Sequence, residues 1–152
     1  MAAVALGIAR ASIDALLELA AVKTPLGARG ALRERSTVQA EVARAEAALR
    51  AARAFVFESV DAAWADALSG KTITTGQLVL VRLASTHATE GAARVVDAMY
   101  RLGGGSSIYA SSPLQRRFRD IHVATQHVMV AESMYGTLGR ALLGLPVDRA
   151  AL

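Results

Sequence analysis

The stretch Thr72–Leu102, TITTGQLVLVRLASTHATEGAARVVDAMYRL, decides the fold. Its first part, Thr72–Leu83, has the alternation and β-branched content of a hairpin strand when read alone. The longer pattern does not. Leu78, Val81, Ser85, Ala88, Ala92, Val95, Met99 and Leu102 recur at steps of three and four, the period of a helix face. Thr74 and Gln77 stand at capping-box spacing, and Gly103-Gly104-Gly105 stops the run. The pattern predicts a helix over 76–102.

On the N-terminal side the same period runs through Val38, Val42, Ala45, Leu49, Ala52, Val56, Val60, Ala63 and Ala67. That predicts a second helix over 36–69, opened by a capping box in which Gln39 reaches back to Ser36. At 1.5 Å per residue it is roughly 50 Å long, a bundle strut. A first helix is expected over 2–22, with Ile8, Ala15, Leu19 and Val22 on one face. The segment KTPLGARGALRER at 23–35 reads as a loop. On the C-terminal side Ser112-Pro113 opens a fourth helix, because a first-turn proline gives up no hydrogen bond; its pattern predicts 113–140. Four long helices with short connections imply an all-α, up-down four-helix bundle, one domain over 1–152. The helices carry more apolar surface than one seam buries, which calls for partner chains or further domains.

Composition narrows the function classes. Hydrophobic residues make up 53% and charged residues 20%, a globular balance. There is no cysteine, which excludes thiolate chemistry and fits a cytoplasmic protein. The N-terminus lacks the basic segment of a signal peptide, and no run approaches the ~20 apolar residues of a membrane span. The net charge is +4, but arginines are interleaved with acids along the chain, which argues against a nucleic-acid surface.

Among residues that carry chemistry, His122 and His127 are five apart, about 140° around a helix, and cannot share a metal. His87 and Glu90 form one pair where a di-metal bundle needs two and more carboxylates, so no metal site is expected. The segment Arg101–His127, RLGGGSSIYASSPLQRRFRDIHVATQH, is more informative. Its glycines allow close backbone approach, and it feeds a helix N-terminus that attracts anions. Arg116, Arg117 and Arg119 follow where positive charge opposes the helix dipole. A plain helix stop with solvated arginines accounts for the same residues.

GIARASIDALLELA, RSTVQAEVARAEAALRAARAF and YRLGGGSSIYASSPLQRRFRDIHVATQH together resemble the C-terminal domain of acyl-CoA dehydrogenase-like flavoproteins. The branch of two-component flavin monooxygenases is the nearest. The resemblance implies FMN or FAD at a subunit interface, a homotetramer, and a separate flavin reductase. It implies flavin contacts from Arg33 or Arg35, from Gln39, and from Gly104, Gly105 and Ser106 or Ser107. Counting from Arg119-Asp120, the position of the dehydrogenase's glutamate base holds Val128, and the preceding tyrosine position holds His127. Valine cannot take a proton, whereas a histidine beside the flavin edge suits hydroxylation of an aromatic substrate after oxygen activation at flavin C4a. The resemblance therefore implies a monooxygenase domain with His127 as its catalytic residue; a dehydrogenase fragment or a non-catalytic assembly bundle are the alternatives. The helical and β-barrel domains that open such proteins have no counterpart in these 152 residues, so activity of the chain alone is not expected.

Overall fold

A computed structural model describes residues 1–152, which are helical with no strand. Five α-helices form: α1 (Ala2–Val22), α2 (Ser36–Leu68), α3 (Thr75–Gly103), α4 (Pro113–Thr125) and α5 (Met134–Leu142), with short 3-10 turns at Leu32–Glu34, Gly104–Ser107 and Arg149–Ala151. The first three alternate in direction, and α4 returns along the second half of α3. No helix is long and apolar enough to cross a membrane.

The helix α3 is central. It packs against α1, α2, α4 and α5, while α1 and α2 meet each other far less. Small residues make this possible. Ala5 and Ala9 of α1 and Ala88 and Ala92 of α3 are almost fully buried, so backbones approach closely while Ile13, Leu16, Val96 and Met99 fill the space between. Buried hydroxyls of Ser12, Thr86 and Thr89 bond to carbonyls four residues back, at 2.8, 3.0 and 2.9 Å. No polar atom of those side chains is left unpaired, as a dry interior requires.

The expected helices at 2–22 and 36–69 form almost as read. In α1 the buried seam is Ala2, Ala5, Leu6, Ala9, Ile13, Leu16 and Ala20, one step round from the expected face, and Val22 is 81% exposed. Alanine is a weak hydrophobic signal, so the larger Ile8 and Leu19 dominated the pattern while flanking the true seam. Only the first half of the α2 stripe is buried. Beyond Ser59, α2 outruns the core and exposes Val60, Trp64 and Leu68.

The two capping boxes part ways. Thr74 and Gln77 form theirs, with backbone N–H groups donating at 2.9 and 3.2 Å to the partner side chains. The one at Ser36 and Gln39 does not form. The 3-10 turn Leu32–Glu34 runs straight into α2, so Arg35 becomes the N-cap and Ser36 the first helical residue. Gln39 Nε2 then donates to the Arg33 carbonyl at 3.0 Å.

The single helix expected over 113–140 is a correction. It breaks after Thr125 into the irregular connector Gln126–Ser133 and resumes as α5. The 13 residues of α4 cover only part of α3. Redirecting the chain at the connector brings Leu138, with Met134 and Ala141, onto Val79, Leu78 and Leu83 at the start of α3. A straight continuation would leave that apolar stretch wet.

Two corners of the core yield expectations. A methyl group on Gly103 would collide with Ser107 Oγ and sit 2.8 Å from Leu114 Cδ1. Gly103→Ala should therefore cost about 1–3 kcal/mol, seen as a lowered denaturation midpoint. Asp66, at the end of α2, accepts from Lys71 at 3.0 Å and from Gln77 at 2.7 Å, and these bonds, that of Lys71 first, hold its carboxyl below its ordinary value. Hydrogen bonds from Arg10 and then Arg50 do the same for Glu46. A lowered folded value gives stability that is present above the unfolded carboxylate range and lost as pH falls through the folded one. Thermal melts taken downward from about pH 6 should fall less steeply for the Asp66→Asn, Glu46→Gln double variant than for the parent.

Candidate functional site

The glycine turn lies where α1 and α3 end side by side. Gly104 has φ +54°, a conformation that side chains rarely adopt. Around Gly105 the space a side chain would take is open. Lys23, the residue after α1, locks the turn: its Nζ donates to Gly103 O at 2.6 Å and to Ser106 Oγ at 2.8 Å. The buried Ser107 hydroxyl donates to Tyr100 O at 2.8 Å. No carboxylate lies within ion-pair distance of Lys23, so its charge beside the open glycines is uncompensated. Sequence reading missed this residue, whose only signal was a basic side chain directly after an uncharged helix end.

Lys23 also joins a second group of expected residues. Its carbonyl accepts from the Leu32 N–H at 2.8 Å, which folds the loop carrying Arg33 back onto the end of α1. Arg33 and Gln39 are exposed and line one open groove between α1 and α2, together with Leu17 and Val42. Arg35 does not line it. The structure thus separates the two arginines that the sequence left as alternatives and seats Arg33 beside Gln39.

Beyond the turn, the N-terminus of α4 and the start of α1 border a cleft containing Ser111, Ser112, Arg116 and Arg117. Arg116 faces Asp120 at 3.6 Å. Arg117 Nη1 is buried without a hydrogen-bond partner.

The histidines take different roles. His122 Nε2 lies 2.9 Å from Asp97 Oδ1, and its ring meets Phe118 edge-on at 4.7 Å between centroids, so it is a helix-to-helix tie. His87 is exposed, with its ring 6.3 Å from that of Phe55. His127 stands in the connector, exposed, with Nδ1 accepting from the Met129 N–H at 3.2 Å. With Nδ1 accepting, the neutral ring carries its proton on Nε2 and points a donor outward. Val128 is 73% exposed beside it. Tyr135, just past the connector, donates to Glu90 Oε2 at 2.8 Å; burial first, then this hydrogen bond, pushes its phenol up to about 12. No cluster of His, Asp or Glu able to hold a metal is present.

These features lie apart, the glycine turn at the end of α3 and the connector beside its middle, at Thr86 and Glu90. Gly103 packs on Leu114 at the start of α4, and His127 follows its end, about 20 Å away at 1.5 Å per residue.

Comparison with known proteins gives this arrangement its relatives. Residues 1–132 match the family model described as acyl-CoA dehydrogenase, C-terminal domain. The indole-3-acetate monooxygenase of Pseudomonas putida is 40% identical over 144 residues, covering 95% of this chain and 37% of that protein. Among solved structures, XiaF from Streptomyces sp., in complex with FADH2 and glycerol, superposes with a TM-score of 0.88 at 23% identity, over 95% of this chain and 37% of its own. The 3-HSA hydroxylase from Rhodococcus sp. RHA1 does so with a TM-score of 0.85 at 22% identity, over 97% and 37%. The chain spans little more than a third of the length of each.

The Lys23 clamp has its own test. Lys23→Met should speed amide exchange across Gly104–Ser107 by about tenfold, the loss of a local tie, with the rest of the core unchanged. Lys23→Arg should recover part of the protection; equal exchange in all three proteins would remove Lys23 from the turn's support.

Proposed function

Because the chain belongs to the family of acyl-CoA dehydrogenase C-terminal domains, we propose that it is the oligomerising and flavin-contacting part of a cytoplasmic flavin-dependent monooxygenase. The observation that carries this reading is the glycine turn with its uncompensated lysine. Gly104 turns the backbone, Gly105 leaves it open, and Lys23 supplies a cation to the same place. That donor set fits a phosphate group, since backbone N–H groups and an ammonium are what a phosphate needs. Lys23, Gly104, Gly105 and Ser106 would hold the phosphate side of FMN or FAD, and Arg33 with Gln39 would extend the contact along α1 and α2.

When bound, the flavin supplies oxygen activation at its C4a carbon. The chain's own part at that end falls to His127. Its Nε2–H is a donor held outward by the Nδ1 bond to Met129, suited to orienting an oxygen atom of the substrate or of bound dioxygen. Val128 has no group able to abstract a proton from an acyl chain, which favours hydroxylation over dehydrogenation. The relationship to indole-3-acetate monooxygenase supports an aromatic substrate.

The 20 Å between the two features has a consequence in this reading. One chain's glycine turn and its His127 serve different flavins, so the domain works as an oligomer. Phe57, Val60, Trp64 and Leu68 form an exposed apolar stripe along α2, the kind of surface that associates with a partner, and a homotetramer accommodates it. Reduced flavin would come from a separate reductase.

Native mass measured with and without FMN or FAD tests this reading. The expected result is a species several times the 15.9 kDa chain mass that binds FMN or FAD at least about tenfold more tightly than riboflavin, which lacks the phosphate; that preference corresponds to roughly 1.4 kcal/mol. His127→Ala should leave the binding unchanged. A monomer that ignores all three flavins would overturn the proposal.

A further inference from the structure

We propose that Tyr135 is a positioning residue for His127, holding the Gln126–Ser133 connector against α3 through its hydrogen bond to Glu90. Within the connector, only Val130 is buried. Its backbone bonds are local turns: Val130 N to His127 O at 2.9 Å, Met134 N to Ala131 O at 2.9 Å, and Tyr135 N to Glu132 O at 3.0 Å. Such turns shape the segment but do not fix it to the rest of the molecule.

Nor does packing fix it fully. The connector spans a polar cleft of about 420 Å³ bordered by Thr86, Glu90, Thr125, Glu132 and Tyr135. Burial of one residue and two polar ties to α3 hold it. Val130 is buried, Arg82 Nη1 reaches Met129 O at the long distance of 3.4 Å, and Tyr135 Oη donates to Glu90 Oε2 at 2.8 Å. The last is the strongest polar tie, because its acceptor is a carboxylate. Glu90 is itself steadied by Arg94 one turn further along α3. The entry to the connector is set by α4, through buried Ile121 and Ala124; its exit is set at the first turn of α5 by Tyr135. His127 hangs between these two points.

The functional meaning of this latch rests on His127 acting at the flavin, but the latch can be measured without flavin. Nitrogen-15 NMR of the full 152-residue chain reads the His127 tautomer and the amide exchange of Met129 and Val130. In Tyr135→Phe and in Glu90→Ala, exchange at these amides should quicken by about tenfold, and the His127 share protonated at Nε2 should fall. The ring signals of His87 and His122 should not move. Glu90→Gln keeps an acceptor for the phenol and should stay within about twofold of the parent. Parental His127 and Met129 signals in Tyr135→Phe would overturn the proposal, as would a Glu90→Gln variant no different from Glu90→Ala. A chain that shows the latch but binds no flavin would defeat the flavin reading alone; one that binds flavin without these effects would defeat the latch alone.

Discussion

Everything in this molecule depends on one helix being narrow. The core face of α3 presents Ala84, Ala88, Ala92 and Ala93 through its middle, so α1 and α2 can lie against it closely. A helix flanked on several sides has little room for long side chains, and alanine supplies length without girth at the lowest cost to helix formation. The larger buried residues, Val79, Val95, Val96 and Met99, stand on either side of that stretch. The taper from small to large along α3 therefore sets where each neighbour packs.

That arrangement also explains why the candidate polar groups sit where helices stop. The middle of the bundle is dry and close-packed, and its hydroxyls are consumed within their own helices. The candidate polar groups lie where helices stop: Lys23 and the glycines at the end of α3, and His127 in the connector beside its middle. The break between α4 and α5 is part of the same economy. It turns the chain onto the apolar start of α3, and in doing so exposes a histidine that a continuous helix would have carried along its side.

The legible parts of this fold were those written locally. The period through Thr72–Leu102 and the Thr74–Gln77 box placed α3 to within a residue, because both signals lie within a few turns of each other. The glycine turn was legible for the same reason. What the residues could not reveal by themselves depended on distant neighbours. Whether Ser36 caps a helix was decided by the 3-10 turn before it. Whether residues 126–133 stay helical was decided by the reach of α4 along α3. Lys23 acquires its role only from Gly103 and Ser106, about eighty positions away. Arg33 and Arg35 are alike in sequence and differ only in which side of a turn they leave from.

The Lys23 bridge carries an implication for how the chain matures. The lysine and its partners are 80 and 83 positions apart, whereas the turn's own bond, Ser107 Oγ to Tyr100 O, is local. Closing so long a loop is entropically unfavourable until helix packing has brought its ends together. The bridge between Lys23 and the glycine turn is therefore assembled late, after α1 has docked along α3. During synthesis, residues up to about Ser106 must have emerged and folded before it exists. A partly made or misdocked chain thus lacks the bridge, and its presence reports that the bundle has closed correctly.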